Sequence, residues 1–366
     1  LLPLPTASAS SALQAQANRP SGQSADAETE LQTGIALTRQ GRFSDAIPHF
    51  LAAQGHVRDE YAASFNLALC YVATSQFQPA IELLNSLKSG GHDTPDVNNL
   101  LAQSYIGMNQ DQKAFAAFEQ AVAQTPENEK LYLFLADACM ERQAYDLGLQ
   151  ILDVGLRHLP RSAPLHYERG VFLSSEDLPD SAETDYLLAE KLAPNSEISY
   201  MAAGQAALLQ GNISEAVRVT GEGIRSGYQN YILLALFGSA VVNSGAGPGQ
   251  AEFAAAEAAL EKSIAEHPDY AASHLALAKL YLLSNRLGDA IMNLELARKL
   301  APADPSIYSH LAVAYRRSGN LDEAQKMLAV LAKLDATQAA KYKTDSPNKA
   351  GYVASGRLRR KPSQDQ

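Results

Sequence analysis

Prolines recur in this chain at a fixed interval: Pro126, Pro160 and Pro194 stand 34 residues apart, and so do Pro268 and Pro302. A period of roughly 20–50 residues is the mark of stacked supersecondary units, each too small to bury its own apolar face, rather than of a single closed core. Frames beginning at residues 27, 61, 95, 129, 163, 197, 231, 271 and 305 divide residues 27–338 into nine units. Only the seventh departs from the period, by an insertion of six residues.

The columns of this frame behave physically. The eighth position reads Gly34, Ala68, Ala102, Ala136, Gly170, Gly204, Gly238, Ala278 and Ala312. The twentieth, after allowing for the insertion, reads Ala46, Ala80, Ala114, Gly148, Ala182, Ala216, Ala256, Ala290 and Ala324. With 62 Ala and 23 Gly in 366 residues, chance would place about four small residues at these eighteen points, so the columns are selected. Small side chains let two helix backbones approach closely and therefore mark helix–helix contacts.

The spacing around those columns is helical. In the third unit Leu101, Ala102 and Tyr105 fall on one helix and Ala114, Phe118 and Ala121 on a second, each a stripe that faces a neighbour. Between the helices stand Gly41, Asn109, Gly211, Asn285 and Gly319, residues that accept the left-handed conformation ending a helix. Thr94-Pro95 and Asp304-Pro305 read as an N-cap followed by the first helical residue. Each unit is a helix pair, and the fold class is all-α.

In this pattern the chain resembles the tetratricopeptide repeat family. That family's signature is an aromatic at position 4, Leu at 7, Gly or Ala at 8, Tyr at 11, Ala at 20, Phe at 24, Ala at 27 and Pro at 32. The third unit answers it with Leu101, Ala102, Tyr105, Ala114, Phe118, Ala121 and Pro126, and the ninth with Tyr308, Leu311, Ala312, Tyr315, Gly319 and Ala324. Glu30 and Thr220 depart from it at an aromatic position of the first and sixth units. The resemblance implies a right-handed α-solenoid of about nine helix–turn–helix units, whose first helices line a concave surface that receives peptides or helices of partner proteins.

Carried over position by position, the family's groove residues become Phe65, Leu69 and Val72 in the second unit, Asp96, Asn99 and Gln103 in the third, and Lys130, Asp137 and Glu141 in the fourth. Tyr167, Val171, Met201, Gln205 and Leu208 follow in the fifth and sixth, and Lys279, Leu282, Arg316 and Arg317 in the last two. Such a surface is acidic and amide-rich early, apolar in the middle and basic late, which suits a partner segment with hydrophobic anchors. The Lys/Asn and Lys/Arg set with which some members clamp chaperone tails is absent from every run of three units.

Chemistry-bearing motifs are scarce. The eight histidines include no H-E-x-x-H and no pair four residues apart, so the sequence points to no metal site. The Gly245-Ala246-Gly247-Pro248-Gly249 run lacks both the final glycine of a dinucleotide fingerprint and the Gly-Lys-Ser/Thr of a phosphate loop, and reads as a lengthened turn in the seventh unit. Cys70 and Cys139 lie two units apart on apolar faces, too far to bridge, and are expected to be buried thiols. No cofactor and no catalytic residue is assigned, so the expected function is a non-catalytic protein-interaction scaffold. The alternative is a regulatory or substrate-recruiting subunit of an enzyme complex, such as a glycosyltransferase or peptidase, whose catalytic part lies elsewhere.

Charge narrows the partner. Forty Asp and Glu against 30 Lys and Arg give a net −10, which argues against nucleic acid or an anionic membrane, and no apolar run reaches the 18 residues of a spanning helix. Residues 339–366 carry a net +5, leaving −15 on residues 27–338. That basic segment is expected to be disordered and solubilising, with binding to nucleic acid or acidic lipid, the array serving as a spacer, as the alternative. Residues 1–26 are expected to be disordered as well. Their Leu1-Leu2-Pro3-Leu4-Pro5 start and Ala15-Gln16-Ala17 triplet resemble the back half of a secretory signal peptide, which points to a bacterial periplasmic or secreted protein; the alternatives are a flexible Ala/Ser/Gln linker and the cytoplasm.

Overall fold

The computed structural model describes residues 21–341, with side chains described for residues 25–336. These residues form nine helix pairs: α1 Ser21–Arg39 with α2 Phe43–Ala53, α3 Glu60–Ala73 with α4 Phe77–Ser89, α5 Pro95–Gly107 with α6 Asp111–Gln124, and α7 Glu129–Glu141 with α8 Tyr145–His158. Then come α9 Ala163–Ser175 with α10 Pro179–Leu192, α11 Glu197–Leu209 with α12 Ile213–Arg225, and α13 Tyr231–Asn243 with α14 Ala251–Glu266. The last are α15 Ala271–Leu283 with α16 Leu287–Leu300 and α17 Pro305–Arg317 with α18 Leu321–Lys341. No strand occurs among the described residues. The helices gather into two compact units, α1–α8 up to His158 and α9–α18 from Leu159 onward.

Helix α1 begins at Ser21, inside the stretch expected to lack structure through residue 26. Ala27 and Leu31 explain it: at 4% and 2% exposure they anchor the helix in the core of the first unit beside Ala46 and Phe50. At the other end α18 runs without a break to Lys341. The signal-like residues 1–17 and the basic stretch from Tyr342 on lie outside the described residues.

Both small-residue columns are buried in all nine pairs. Where the eighth position is glycine, the missing methyl group is replaced by a side chain from position 24 of the same pair. A Cβ on Gly34 would lie 2.8 Å from the Phe50 ring, one on Gly170 2.7 Å from Tyr186, and one on Gly238 2.4 Å from Leu260. The two helices of a pair thus interlock through a small residue on one and a large residue on the other.

The turn column is equally regular. Residue 15 of every pair has positive φ: Gly41, Ser75, Asn109, Gln143, Asp177, Gly211, Gly245, Asn285 and Gly319. The residue after it donates its N–H to the carbonyl five residues back, at 2.7–3.0 Å, in every pair but the seventh, which closes the end of the first helix. Ser75, Gln143 and Asp177 pay the left-handed strain that glycine avoids, because this closure is required whatever residue occupies the position. The expected caps are formed: Thr94 Oγ1 accepts from Val97 N at 3.3 Å, and Asp304 Oδ1 from Ser306 N at 2.8 Å.

Position 4 ties a pair to the proline that precedes it. Tyr132 Oη donates to the Pro126 carbonyl at 2.7 Å and Tyr308 Oη to that of Pro302 at 2.8 Å. In two pairs histidine takes the place of tyrosine: His166 Nε2 donates to Pro160 O at 3.2 Å and His274 Nε2 to Pro268 O at 2.9 Å. The opposite ring nitrogen of each reaches the second helix of its own pair, His166 Nδ1 to Asp185 at 2.8 Å and His274 Nδ1 to Asn293 Oδ1 at 3.0 Å. These two histidines are therefore built into the packing.

Cys70 and Cys139 are both free and fully buried. Burial pushes the Cys70 thiol up, and at Cys139 burial, and after it the charge of Asp111, pushes it up to about 12. A thiol held protonated in a closed core is a poor nucleophile. Iodoacetamide at neutral pH should therefore leave both unmodified in the native chain and alkylate both in denaturant, as read by intact mass.

Candidate functional site

The first helices of successive pairs lie side by side within each compact unit: α1, α3, α5 and α7 in the first, and α9, α11, α13, α15 and α17 in the second. A helix in such a row buries one stripe on its own pair and its flanks on its neighbours, so only its remaining face can meet a ligand.

In the first unit that face carries the expected residues. Phe65 and Leu69 on α3 are partly buried, and Phe65 stacks on Tyr61 with ring centroids 5.6 Å apart. Asn99 and Gln103 on α5 are also partly buried, with Gln103 Nε2 donating to Asn99 Oδ1 at 3.4 Å. Asp137 on α7 is exposed, beside Glu141 one turn on. Although its surface is open, neighbouring protein atoms displace part of its solvent, and this and then the Glu141 carboxylate push the Asp137 pKa up from the usual carboxylate range.

The second unit corrects part of the expectation. Tyr167 and Met201 are 5% and 4% exposed and belong to the core. The Tyr167 ring lies 5.7 Å from that of Tyr186, and Gln205 is partly buried. Leu208 is partly buried against Ala207, Ala216 and Ala240, and Val171 is partly buried. Lys279 is half-buried, and loss of solvent lowers its ammonium pKa, an effect that the charge of Asp304 opposes. Arg316 is exposed, whereas Arg317 caps the preceding pair: Nη1 donates to Leu282 O at 2.9 Å and Nη2 to Asn285 Oδ1 at 3.0 Å.

A cleft of about 280 Å3 opens in the first unit between α3, α5 and α7 and the start of α4. Of the expected residues it gathers Val72, Gln103, Asp137 and Glu141; Phe65, Leu69 and Asn99 lie outside it. It also exposes one that the groove positions miss. Phe134 sits at position 6 of its pair, three residues before Asp137, and leaves 54% of its surface to solvent. The signal was present in the Leu131-Tyr132-Leu133-Phe134-Leu135 run, where Leu131, Tyr132 and Leu135 supply the buried stripe and leave Phe134 off it.

One wall of the cleft depends on a glycine. A Cβ at Gly107 would come within 2.4 Å of the Phe77 ring, so the bare backbone of α5 lets Phe77 lie across it. The Arg142 guanidinium stands 5.1 Å above that ring, a cation–π contact joining the start of α4 to the end of α7.

Among the described residues no group of three or more His, Cys, Asp or Glu is arranged to hold a metal ion, and no helix is long and apolar enough to cross a membrane. A family model described as tetratricopeptide repeat matches residues 37–104, 106–167 and 284–344, and a second of the same description matches 249–305. The chain belongs to the tetratricopeptide repeat family. This tetratricopeptide chain is 26% identical over 170 residues to anaphase-promoting complex subunit 7 of Mus musculus, covering 46% of this chain and 30% of that protein. It is 29% identical over 75 residues to intraflagellar transport protein 70A of Xenopus laevis, 20% of this chain and 12% of that one. It thus spans less than a third of the length of these curated relatives. Among solved structures, the APC/C hetero-tetramer Cut9–Hcn1 is similar in fold, with a TM-score of 0.51 at 16% identity over 90% of this chain and 67% of that one.

Proposed function

We propose that this tetratricopeptide array is a non-catalytic protein-interaction scaffold that holds an extended segment or a helix of a partner protein against the open faces of its first helices. The observation that supports it most directly is the row Leu69, Gln103, Phe134 and Asp137 on α3, α5 and α7: apolar and polar side chains left incompletely buried on adjacent helices of one compact unit. Apolar anchors beside accessible polar groups are what peptide recognition uses. The similarity to anaphase-promoting complex subunit 7, itself a subunit of a complex, favours a finer version, a subunit of a larger assembly.

Panning a phage library of random peptides of about twelve residues on the full chain tests the reading. Enriched sequences should lose binding to Leu69→Glu or to Leu208→Glu while circular dichroism shows each variant still helical. A library that yields no enriched sequence, or binders indifferent to both substitutions, overturns it.

A further inference from the structure

Phe134, Asp137 and Glu141 share one face of α7, because steps of three and four residues return to the same side of a helix. Leu131, Leu135 and Cys139 of that helix face the core. The three open residues are each left incomplete. Phe134 keeps an exposed ring, and covering it would remove apolar surface from water. Asp137 and Glu141 stand one turn apart, and among the described residues neither has an ion-pair or hydrogen-bond partner. The nearest cation along the chain, Arg142, is turned over the Phe77 ring. Like charges at this spacing repel, and a cation placed between them removes the repulsion.

A side-chain cation fits this pair better than a metal ion. Two carboxylates fall far short of the six to eight oxygens that calcium takes, roughly speaking. A cleft of about 280 Å3 has room for a side chain or two and not for a cofactor. The spacing narrows the partner further. With about 1.5 Å of rise per residue, Phe134 lies about 7.5 Å along α7 from the midpoint of Asp137 and Glu141. In an extended peptide, residues i and i+2 point the same way and stand about 6.6 Å apart.

We propose that this cleft binds an extended segment of a partner protein in which an arginine or lysine lies two residues from an apolar side chain, the cation seated between Asp137 and Glu141 and the apolar group on Phe134. It rests on the scaffold reading above and names the partner chemistry of one part of it. Gln103, at the α5 side of the cleft, supplies an amide for the peptide backbone between the two anchors.

The experiment compares the random-peptide pools that the full wild-type chain and an Asp137→Asn/Glu141→Gln variant enrich. The wild-type pool should be dominated by a basic residue two positions from a Leu, Ile, Val or Phe, and that pattern should vanish from the variant's pool. A synthetic peptide of the enriched consensus, with citrulline replacing its basic residue, should bind wild type about tenfold more weakly and the variant without change. Both substituted side chains are exposed, so equal melting curves will show that the fold is kept. Enriched peptides without a basic residue, or an equal citrulline penalty on both proteins, overturn this inference. If those peptides still lose binding to Leu69→Glu or Leu208→Glu, the scaffold reading survives; if no peptide is enriched at all, both fall.

Discussion

Asp185→Ala should destabilise the second compact unit by about 3–5 kcal/mol, the cost of removing one partner from a buried ion pair. The Asp185 side chain is 4% exposed and serves two others: His166 Nδ1 lies 2.8 Å from Oδ1, and Arg169 donates to both oxygens, from Nε at 2.7 Å and Nη2 at 2.8 Å. Alanine leaves the Arg169 charge and the inner His166 nitrogen without that carboxylate, at the contact between α9 and α10. A thermal melt followed by circular dichroism measures the loss, and hydrogen exchange should place it in α9–α12, since repeat units lend stability mainly to their neighbours.

The same cluster makes a signed prediction about pH. Burial alone would raise the Asp185 pKa, but the hydrogen bonds from His166 and Arg169, with their charges, outweigh it and hold the carboxyl below its usual value. A carboxylate depressed in the native state contributes stability that is fully present above the unfolded value of about 3.9 and is lost as pH falls through the lower native value. The difference in stability between wild type and Asp185→Asn should therefore be constant from neutral pH to about 4 and shrink below it. A difference that grows on acidification would mean that the pair does not hold Asp185 ionised.

In the first unit the largest effect should come from Phe50→Ala, at about 3–5 kcal/mol. Phe50 is fully buried, and its ring fills the space that a Cβ on Gly34 would need. Gly34→Leu alone should cost about 1–3 kcal/mol by overpacking against that ring. Combined, the two should cost less than Phe50→Ala by itself, because the leucine enters the volume the phenylalanine has left. A double-mutant cycle by chemical denaturation measures this coupling. Strict additivity would show that positions 8 and 24 do not share one space.

These experiments address the part of the molecule that was legible from residues alone. The eighth and twentieth columns could be read because a close helix contact tolerates only Ala or Gly, and nine copies of the same contact turn a weak local preference into a pattern. The turn could be read at Gly41, Asn109, Gly211, Asn285 and Gly319, residue types that accept positive φ. At Ser75 and Gln143 nothing in the residue announces it, since there the pairing of the two helices imposes the conformation. Histidine at position 4 was invisible as a structural element for a similar reason. His166 and His274 find their second partners, Asp185 and Asn293, nineteen residues further along on the other helix of the pair.

The candidate site divides along the same line. Counting positions placed Leu69, Gln103, Asp137 and Glu141 on open faces of first helices, because the helical period is a local property. It also placed Tyr167 and Met201 there, and they are buried, because how far a neighbouring helix covers a given face depends on the packing of whole pairs. Phe134 is the converse: local period leaves it off the buried stripe, but only the cleft formed by α3, α5 and α7 shows that nothing covers it and that two unpaired carboxylates stand beside it. The sequence by itself therefore determined the period, the helix pairs, the small-residue contacts and the family, all consequences of interactions within a unit and repeated nine times. Tertiary structure alone decided which side chains remain open and which of them meet, because exposure is set by contacts between residues far apart in the chain, and these differ from one pair to the next.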